Sequence, residues 1–348
     1  MGHHKLEIRY GPSVWKGFKL SSTVYQTIHW KDVVESSFGH KALYLFAKAG
    51  YQIVDILPLF LIVKPILGKK LIATPYEACY GSYISEDPEI WKALTEEAIR
   101  YARKEKVKYL EIRSFRRLRE LEEMGFIVRN PFLYSIVPLK GIEENWKMLS
   151  KKHRRNVRLA EKRGVLVERA TRLEEVREFY RILAENYRDF GTPIFRRGFL
   201  ENIWERLSPE GLVTLLLAKR EGQIIGGHLL LHSRDTLISK YSACRKRFLK
   251  LYPFYALYWW AIKVGIEQNL SYFNLGTTHK ENTGLIDFKT RWGAENRPVY
   301  FYYYPIKGKV PKLESYFNSF SLAKALWRRT PPNPITFFIG YKITEWIC

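Results

Sequence analysis

Two stretches of this chain repeat one another's order of elements, and that repetition limits what the chain folds into. Ala98-Ile99-Arg100, on a helical pattern, leads after a fixed interval to the apolar run Tyr109-Leu110-Glu111-Ile112. Ala261-Ile262-Lys263 leads after the same interval to Tyr272-Phe273-Asn274-Leu275. Upstream, Gly50-Tyr51-Gln52-Ile53-Val54 answers Glu221-Gly222-Gln223-Ile224-Ile225. Each match is short, but all fall in one order, as copies of a single unit do. A chain of 348 residues is also too long for one ordinary core, so two domains of roughly 100 to 200 residues are expected. The reading is a duplicated α/β (α+β) chain, with units over residues 1–138 and 139–310 and a tail over 311–348.

The elements follow in order. Strands are expected at Lys5 to Tyr10, Ala42 to Lys48 and Gln52 to Val63, with an aromatic helix near His29 to Ser36. Thr74 to Ser82 has neither period and reads as a loop with aromatic walls. Asp87-Pro88-Glu89 opens a helix to about Lys104, Asp as cap and Pro in the first turn. A strand at Lys108 to Ile112, a helix at Arg116 to Met124 and one or two strands up to Pro138 close the first unit. In the second, Ile142 to Arg163 is expected as one long basic helix, and Val165 to Arg169 as a strand. Thr171 caps a helix to about Arg188, and another follows to Leu207. Three strands then precede a helix at Pro253 to Ile266, the first two joined at Glu221-Gly222. The stretch Tyr272 to Pro298 follows: a buried strand, a Gly276-Thr277-Thr278 turn, a polar loop, and a short cationic helix around Asp287-Phe288-Lys289.

Composition bounds the function. The apolar fraction of 46%, with 15% aromatic, predicts a sizeable core and excludes disorder. A formal charge of +23 draws polyanions such as RNA, nucleotide phosphates or anionic lipid, and less so as salt rises. Cys79, Cys244 and Cys348 stand far apart without metal or disulfide spacing, which fits a reducing cytoplasm. The N-terminal MGHHKLEIRYG has no apolar signal core. Neither Tyr51 to Val63 nor Leu251 to Ile262 reaches the ~18 to 20 residues of a spanning helix. His228 and His232 lie four strand residues apart, roughly 13 Å, too far to share a metal; no metal and no tightly bound cofactor is expected.

A unit of antiparallel strands, then a helix, then a further strand resembles an acyltransferase of the GNAT type, and moving an acyl group to an amine needs a neutral nucleophile, a stabilised oxyanion and cations for the donor's phosphates. Lys289 is the first choice for the developing negative charge. Asp287, Glu281 and Glu295 are possible bases, and Tyr241 a donor to the carbonyl oxygen. On a helix, Lys151, Arg154, Arg155, Arg158 and Lys162 fall largely on one side; with Lys152 they suit a polyphosphate or RNA. Arg245 and Arg247 crowd the turn after the third strand, and Arg291 adds a cation beyond Lys289.

Lys151 to Val165 (KKHRRNVRLAEKRGV) and Phe288 to Glu295 (FKTRWGAE) resemble the two signature stretches of the FemAB-like acyltransferases. Leu57-Pro58-Leu59, Tyr80-Gly81 and Tyr109-Leu110-Glu111-Ile112-Arg113 resemble the branch associated with exosortase and exopolysaccharide systems. The resemblance implies tandem GNAT-like (acyl-CoA N-acyltransferase) domains from an internal duplication. It also implies N-acyl or aminoacyl transfer to a cell-envelope or surface-polymer precursor. The donor it implies is aminoacyl-tRNA or acyl-CoA, and the acceptor an amine of an envelope precursor, a class commonly lipid-linked. The chain departs from relatives in carrying Asn274 where an acid is common and Thr277 and Thr278 after the Gly; Asn274 and Thr277 are assigned to the donor site. A glycine-rich CoA-binding turn, Arg/Gln-x-x-Gly-x-Gly/Ala, is replaced by Arg245-Lys246-Arg247-Phe248-Leu249-Lys250. The Trp/Phe/Arg-rich tail from Lys312 suits either an anionic membrane surface or a strap over the second domain. The expected place of work is the cytoplasm, at the inner face of the membrane if the tail binds there.

Overall fold

The structure is a computed structural model that describes residues 6–10, 23–64, 68–75, 82–311, 327–329 and 340. These form two compact units. The first comprises the described residues up to 132 together with 298–311. The second comprises 133–297 with 327–329 and 340.

The first unit holds β1 (Leu6–Tyr10), α1 (Ile28–Phe38), β2 (Lys41–Ala49), β3 (Gln52–Lys64), β4 (Gly68–Ala73), α2 (Pro88–Lys104), β5 (Tyr109–Ser114) and α3 (Arg119–Glu123). After them come β6 (Ile127–Pro138), α4 (Ile142–Met148), α5 (Lys151–Lys162), β7 (Leu166–Arg169), α6 (Leu173–Asp189) and α7 (Arg197–Leu207). The remainder is β8 (Val213–Arg220), β9 (Gln223–His232), β10 (Thr236–Cys244), α8 (Pro253–Glu267), β11 (Tyr272–His279), α9 (Thr283–Thr290) and β12 (Glu295–Pro305).

The duplication holds strand by strand. In the first unit the order is β1-β2-β3-β4-β5, antiparallel except for the parallel β4–β5 pair, across which α2 crosses over. In the second it is β7-β8-β9-β10-β11, antiparallel except for parallel β10–β11, with α8 as the crossover. The Tyr109 and Tyr272 strands therefore occupy equivalent places. Even the irregularities repeat. The β2–β3 register slips between Ala47↔Asp55 and Lys48↔Ile53, and the β8–β9 register between Ala218↔Gly226 and Lys219↔Ile224. Each slip follows a two-residue turn, Gly50-Tyr51 or Glu221-Gly222; Glu221 and Gly222 both have positive φ, the hairpin geometry that matches strand twist. Each sheet gains one more strand from far along the chain: β12 pairs antiparallel with β5 from Tyr300 to Pro305, and β6 borders β11.

Cores form where apolar faces meet. In the first unit, Leu45, Leu57 and Leu59 of the sheet pack under Leu94, Ala98 and Ala102 of α2. In the second, α8 is apolar on nearly every side because it lies between the sheet (Leu216, Leu230, Leu237, Phe273) and α5 (Val157, Ala160).

Several expected boundaries move. The long basic helix is two helices: Leu149 and Ser150 turn extended, Ser150 Oγ accepts from the His153 N–H, and the Ser150 N–H is taken by Arg291 O (2.9 Å). The helix after β7 begins one residue later than a Thr171 cap requires; Glu175 accepts the N–H groups of Thr171 and Arg172 instead. Gly276-Thr277-Thr278 continues β11 and is not a turn. The Tyr80-Gly81 part of the aromatic loop and most of the tail lie outside the described residues. Of the tail, Arg328 donates to Phe190 O (3.4 Å) in the second unit. Among the described residues no helix is long and apolar enough to cross a membrane.

Candidate active site

The second unit is open at the centre of its sheet. β10 and β11 pair in parallel only from Thr236–Ile238 against Tyr272–Asn274, although β10 runs on to Cys244 and β11 to His279. Two local devices part them. A bulge between Ser239 and Tyr241 leaves Lys240 as an extra residue in β10, which bends the strand. In β11, Gly276 takes a φ of +77°, a left-handed conformation that glycine adopts without strain. Its N–H turns to Asn274 Oδ1 (2.8 Å). The result is a wedge whose walls are Ser239 to Cys244 on one side and Leu275 to Thr278 on the other.

Lys289, in the last turn of α9, is 4% exposed and donates to Gly276 O (2.9 Å) and Thr277 O (3.3 Å). A buried ammonium is stable only when hydrogen-bonded, and here it satisfies carbonyls of the parted wall. Asn274 is 1% exposed and serves the same kink. Thr277 is half-buried beside it, and Thr278 Oγ1 is buried with no hydrogen-bond partner among the described residues. Tyr241 is buried just past the bulge, its ring 4.9 Å from Phe195 and 5.3 Å from Lys240 Nζ. Asp287 faces outward, paired with Arg291 Nε at 2.8 Å, since two residues along a helix turn a side chain to the far face. Glu281 and Glu295 are exposed, Glu281 3.8 Å from His279 and Glu295 2.7 Å from Arg297. Lys289 and Asn274 thus converge on one wall and Tyr241 stands on the other, while Asp287 and Arg291 lie outside.

Behind β10, His228 Nε2 meets Ser239 Oγ at 2.7 Å and the Tyr258 hydroxyl lies 3.4 Å from Ser242 Oγ. Burial lowers the His228 imidazole to about 3, so it stays neutral. His232 bonds Thr214 Oγ1 at 2.9 Å, and the two histidines have separate partners. Among the described residues no three His, Cys, Asp or Glu side chains are grouped to hold a metal ion.

The basic surfaces are real but unequally available. An open depression of about 390 Å³ runs along α5, lined by Lys151, Arg154, Arg155, Arg158, Leu159 and Lys162. Lys152, Arg155 and Arg158 are exposed; Arg158 lies 5.3 Å over the Trp146 ring. Arg154 is committed elsewhere, its guanidinium capping α4 through Lys147 O (3.0 Å) and Leu149 O (2.9 Å). His153 points inward among Tyr255, Phe288 and Trp292, and burial lowers it to about 4. After β10 the chain makes a 3-10 helix, Lys246–Leu251, with Lys246, Arg247 and Lys250 exposed. Arg163 joins the two surfaces by donating to Lys250 O and lying 5.0 Å over the Tyr252 ring. Arg245 is not available to a ligand, because Glu178 and Glu185 (2.9 Å) of α6 hold its guanidinium.

Sequence reasoning missed Lys240 and Asn186, which enter only through the bulge and through a contact 58 residues away in the chain.

Residues 148–290 match the family model "Acetyltransferase (GNAT) domain". The crystal structure of FemX superposes with a TM-score of 0.73 at 16% identity, covering 91% of this chain and all of FemX. The C-terminal domain (DUF2156) of a protein assigned as a lysylphosphatidylglycerol synthetase from Agrobacterium fabrum gives 0.57 at 13% identity, covering 86% of this chain and 92% of that one. A tandem GNAT protein from the clavulanic acid biosynthesis pathway gives 0.53 at 11%, covering 88% and 100%. No protein of curated function matches the sequence. The match falls on the second unit, the one with the parted strands. The chain as a whole shares the fold of FemX and of that tandem GNAT protein, two GNAT-like units one after the other.

Proposed function

We propose that this protein moves an acyl or aminoacyl group from a phosphate-bearing donor to an amine of a cell-envelope or surface-polymer precursor. The observation that carries the reading is the wedge between β10 and β11 in a GNAT unit that also bears the α5 face and the 3-10 turn, both basic. Arg155, Arg158, Lys151, Lys152 and Arg247 hold donor phosphates. Lys289 keeps the β11 wall in place and puts positive charge near the carbonyl oxygen as the amine attacks, with Tyr241 on the opposite wall. The envelope acceptor draws support from the resemblance to the exopolysaccharide-associated branch and from the likeness to FemX and to a protein whose name denotes an aminoacylated lipid. Work at the inner face of the membrane belongs to the same proposal; flotation with liposomes, with and without residues 312–348, tests it.

A second reading, acyl-CoA-dependent acylation of a small molecule or lipid, is favoured by the acetyltransferase domain match. The experiment is transfer of label to amine-bearing precursors, lipid-linked and free, from aminoacyl-tRNA and separately from acetyl-CoA. Label moving from aminoacyl-tRNA supports the first reading and label from acetyl-CoA the second. Transfer from neither returns the basic face to plain RNA or membrane binding.

A further inference from the structure

β10 alternates its backbone groups between its two edges. The Arg245 N–H goes to Ile225 O of β9 at 2.8 Å, so the N–H and C=O of Cys244, one residue before, face the edge that β11 has left. There they meet α6. Asn186 Nδ2 donates to Cys244 O at 2.9 Å, and the Cys244 N–H donates to Asn186 Oδ1 at 3.4 Å. The carboxamide stands in for one residue of a pairing strand. It is held there by a third bond, Nδ2 to Ile182 O at 3.2 Å, and by the ion pairs of Arg245 with Glu178 and Glu185.

The position matters because of what lies on either side. The exposed cations Lys246, Arg247 and Lys250 follow Cys244, and the apex of the wedge lies at Ile238. A carrier with its phosphates on that turn and its acyl group at the apex must run along the β10 edge for six residues, about 20 Å. Pantetheine carriers such as CoA have arms with two amides suited to pair with such an edge. Asn186 already occupies the first backbone pair they would reach. Burying an arm amide without a partner would cost on the order of 1–3 kcal/mol.

Resting on the acyl-transfer reading above, we infer that Asn186 sets the class of donor. It closes the β10 edge to pantetheine thioesters and leaves the wedge to donors without such an arm, of which an aminoacyl ester of ribose is the chemical type. Its position was not among the residues selected from sequence, and no local pattern marks it.

The test is calorimetric titration of CoA into the wild-type protein and into Asn186→Ala and Asn186→Ser, with far-UV circular dichroism to confirm folding. Wild type should give no saturable heat, and the variants should give a saturable isotherm in the micromolar range. Saturable micromolar binding by wild type overturns the inference, as do folded variants that bind CoA no better. Asn186→Gln, which keeps an amide on a longer arm, supplies the reading should the smaller side chains not fold. Transfer from acetyl-CoA by wild type overturns this inference and leaves acyl transfer intact. A gain of CoA binding in a protein that transfers nothing would remove the acyl-transfer reading and leave Asn186 as the gate.

Discussion

In the proposed acyl transfer, Lys289 carries the largest share of the expected chemistry. A cation that acts on the carbonyl oxygen acts chiefly as charge develops, so its loss lowers kcat more than it alters KM. Lys289→Ala should reduce kcat at saturating donor by on the order of 100-fold or more, with KM moving much less; a rise in KM alone would make it a binding residue. Because Lys289 also ties α9 to Gly276 O and Thr277 O, Lys289→Arg should recover stability before activity, the guanidinium being too broad for that seat. In the first unit, Asp55 is fully buried with Oδ1 accepting from Ile56 and Ile84 N–H groups at 2.7 Å each. Burial raises its carboxyl to about 7 against an ordinary 3.8. A raised folded-state value means the protonated form is the one the fold prefers. Stability from this group is therefore present at acid pH and declines as pH climbs from about 4 through 7. Asp55→Asn should be more stable than wild type above pH 7, by up to a few kcal/mol, and the gap should close below pH 5 in chemical denaturation.

At the scale of elements, α5 is built to present charge on one side and structure on the other. Ser150 starts it, and Ser150→Ala should cost about 1 kcal/mol, most of which Ser150→Asp restores, read by thermal unfolding. Arg154 belongs to the structural side, since its guanidinium closes the end of α4. Replacing Arg155, Arg158 and Lys162 together by Ala should weaken donor binding and flatten its salt dependence by up to about three units of slope, leaving the melting temperature near wild type. Arg154→Ala should do the reverse, lowering stability with a smaller effect on the salt slope. An unchanged slope in the triple variant would return α5 to an ordinary solvated face.

Across the whole molecule, acid sensitivity rests on buried histidines in both units, His40 of the first being lowered to about 4 by burial. His153 and His228 are lowered to about 4 and about 3 from 6.5 by burial. A histidine whose folded value is depressed contributes stability above pH 6.5 that is lost as pH falls toward the folded value. Each should take up a proton on unfolding, steepening the loss by up to roughly 1.4 kcal/mol per pH unit below pH 6. His153→Phe should flatten that slope and remain within the aromatic cluster of Tyr255, Phe288 and Trp292; a slope equal to wild type would show that His153 does not titrate on unfolding.

The sequence by itself carried the architecture. Local signals mark both hairpins, Gly50-Tyr51 and Glu221-Gly222, and the crossover helices before Tyr109 and Tyr272, because turn chemistry and apolar periodicity act over a few residues. The cationic face of α5 was legible for the same reason. Only the tertiary structure decided what the wedge is. A strand's pattern does not announce where its neighbour leaves it, so Gly276-Thr277-Thr278 reads as a turn until β10 is seen diverging at the Lys240 bulge. The Leu149-Ser150 break is settled by Arg291, 141 residues on, whose carbonyl takes the Ser150 N–H. Arg154 and Arg245 look like phosphate ligands in one dimension and are committed in three, to the end of α4 and to Glu178 and Glu185. Whether a charge is available to a ligand depends on which distant groups satisfy it first, and that is a property of packing.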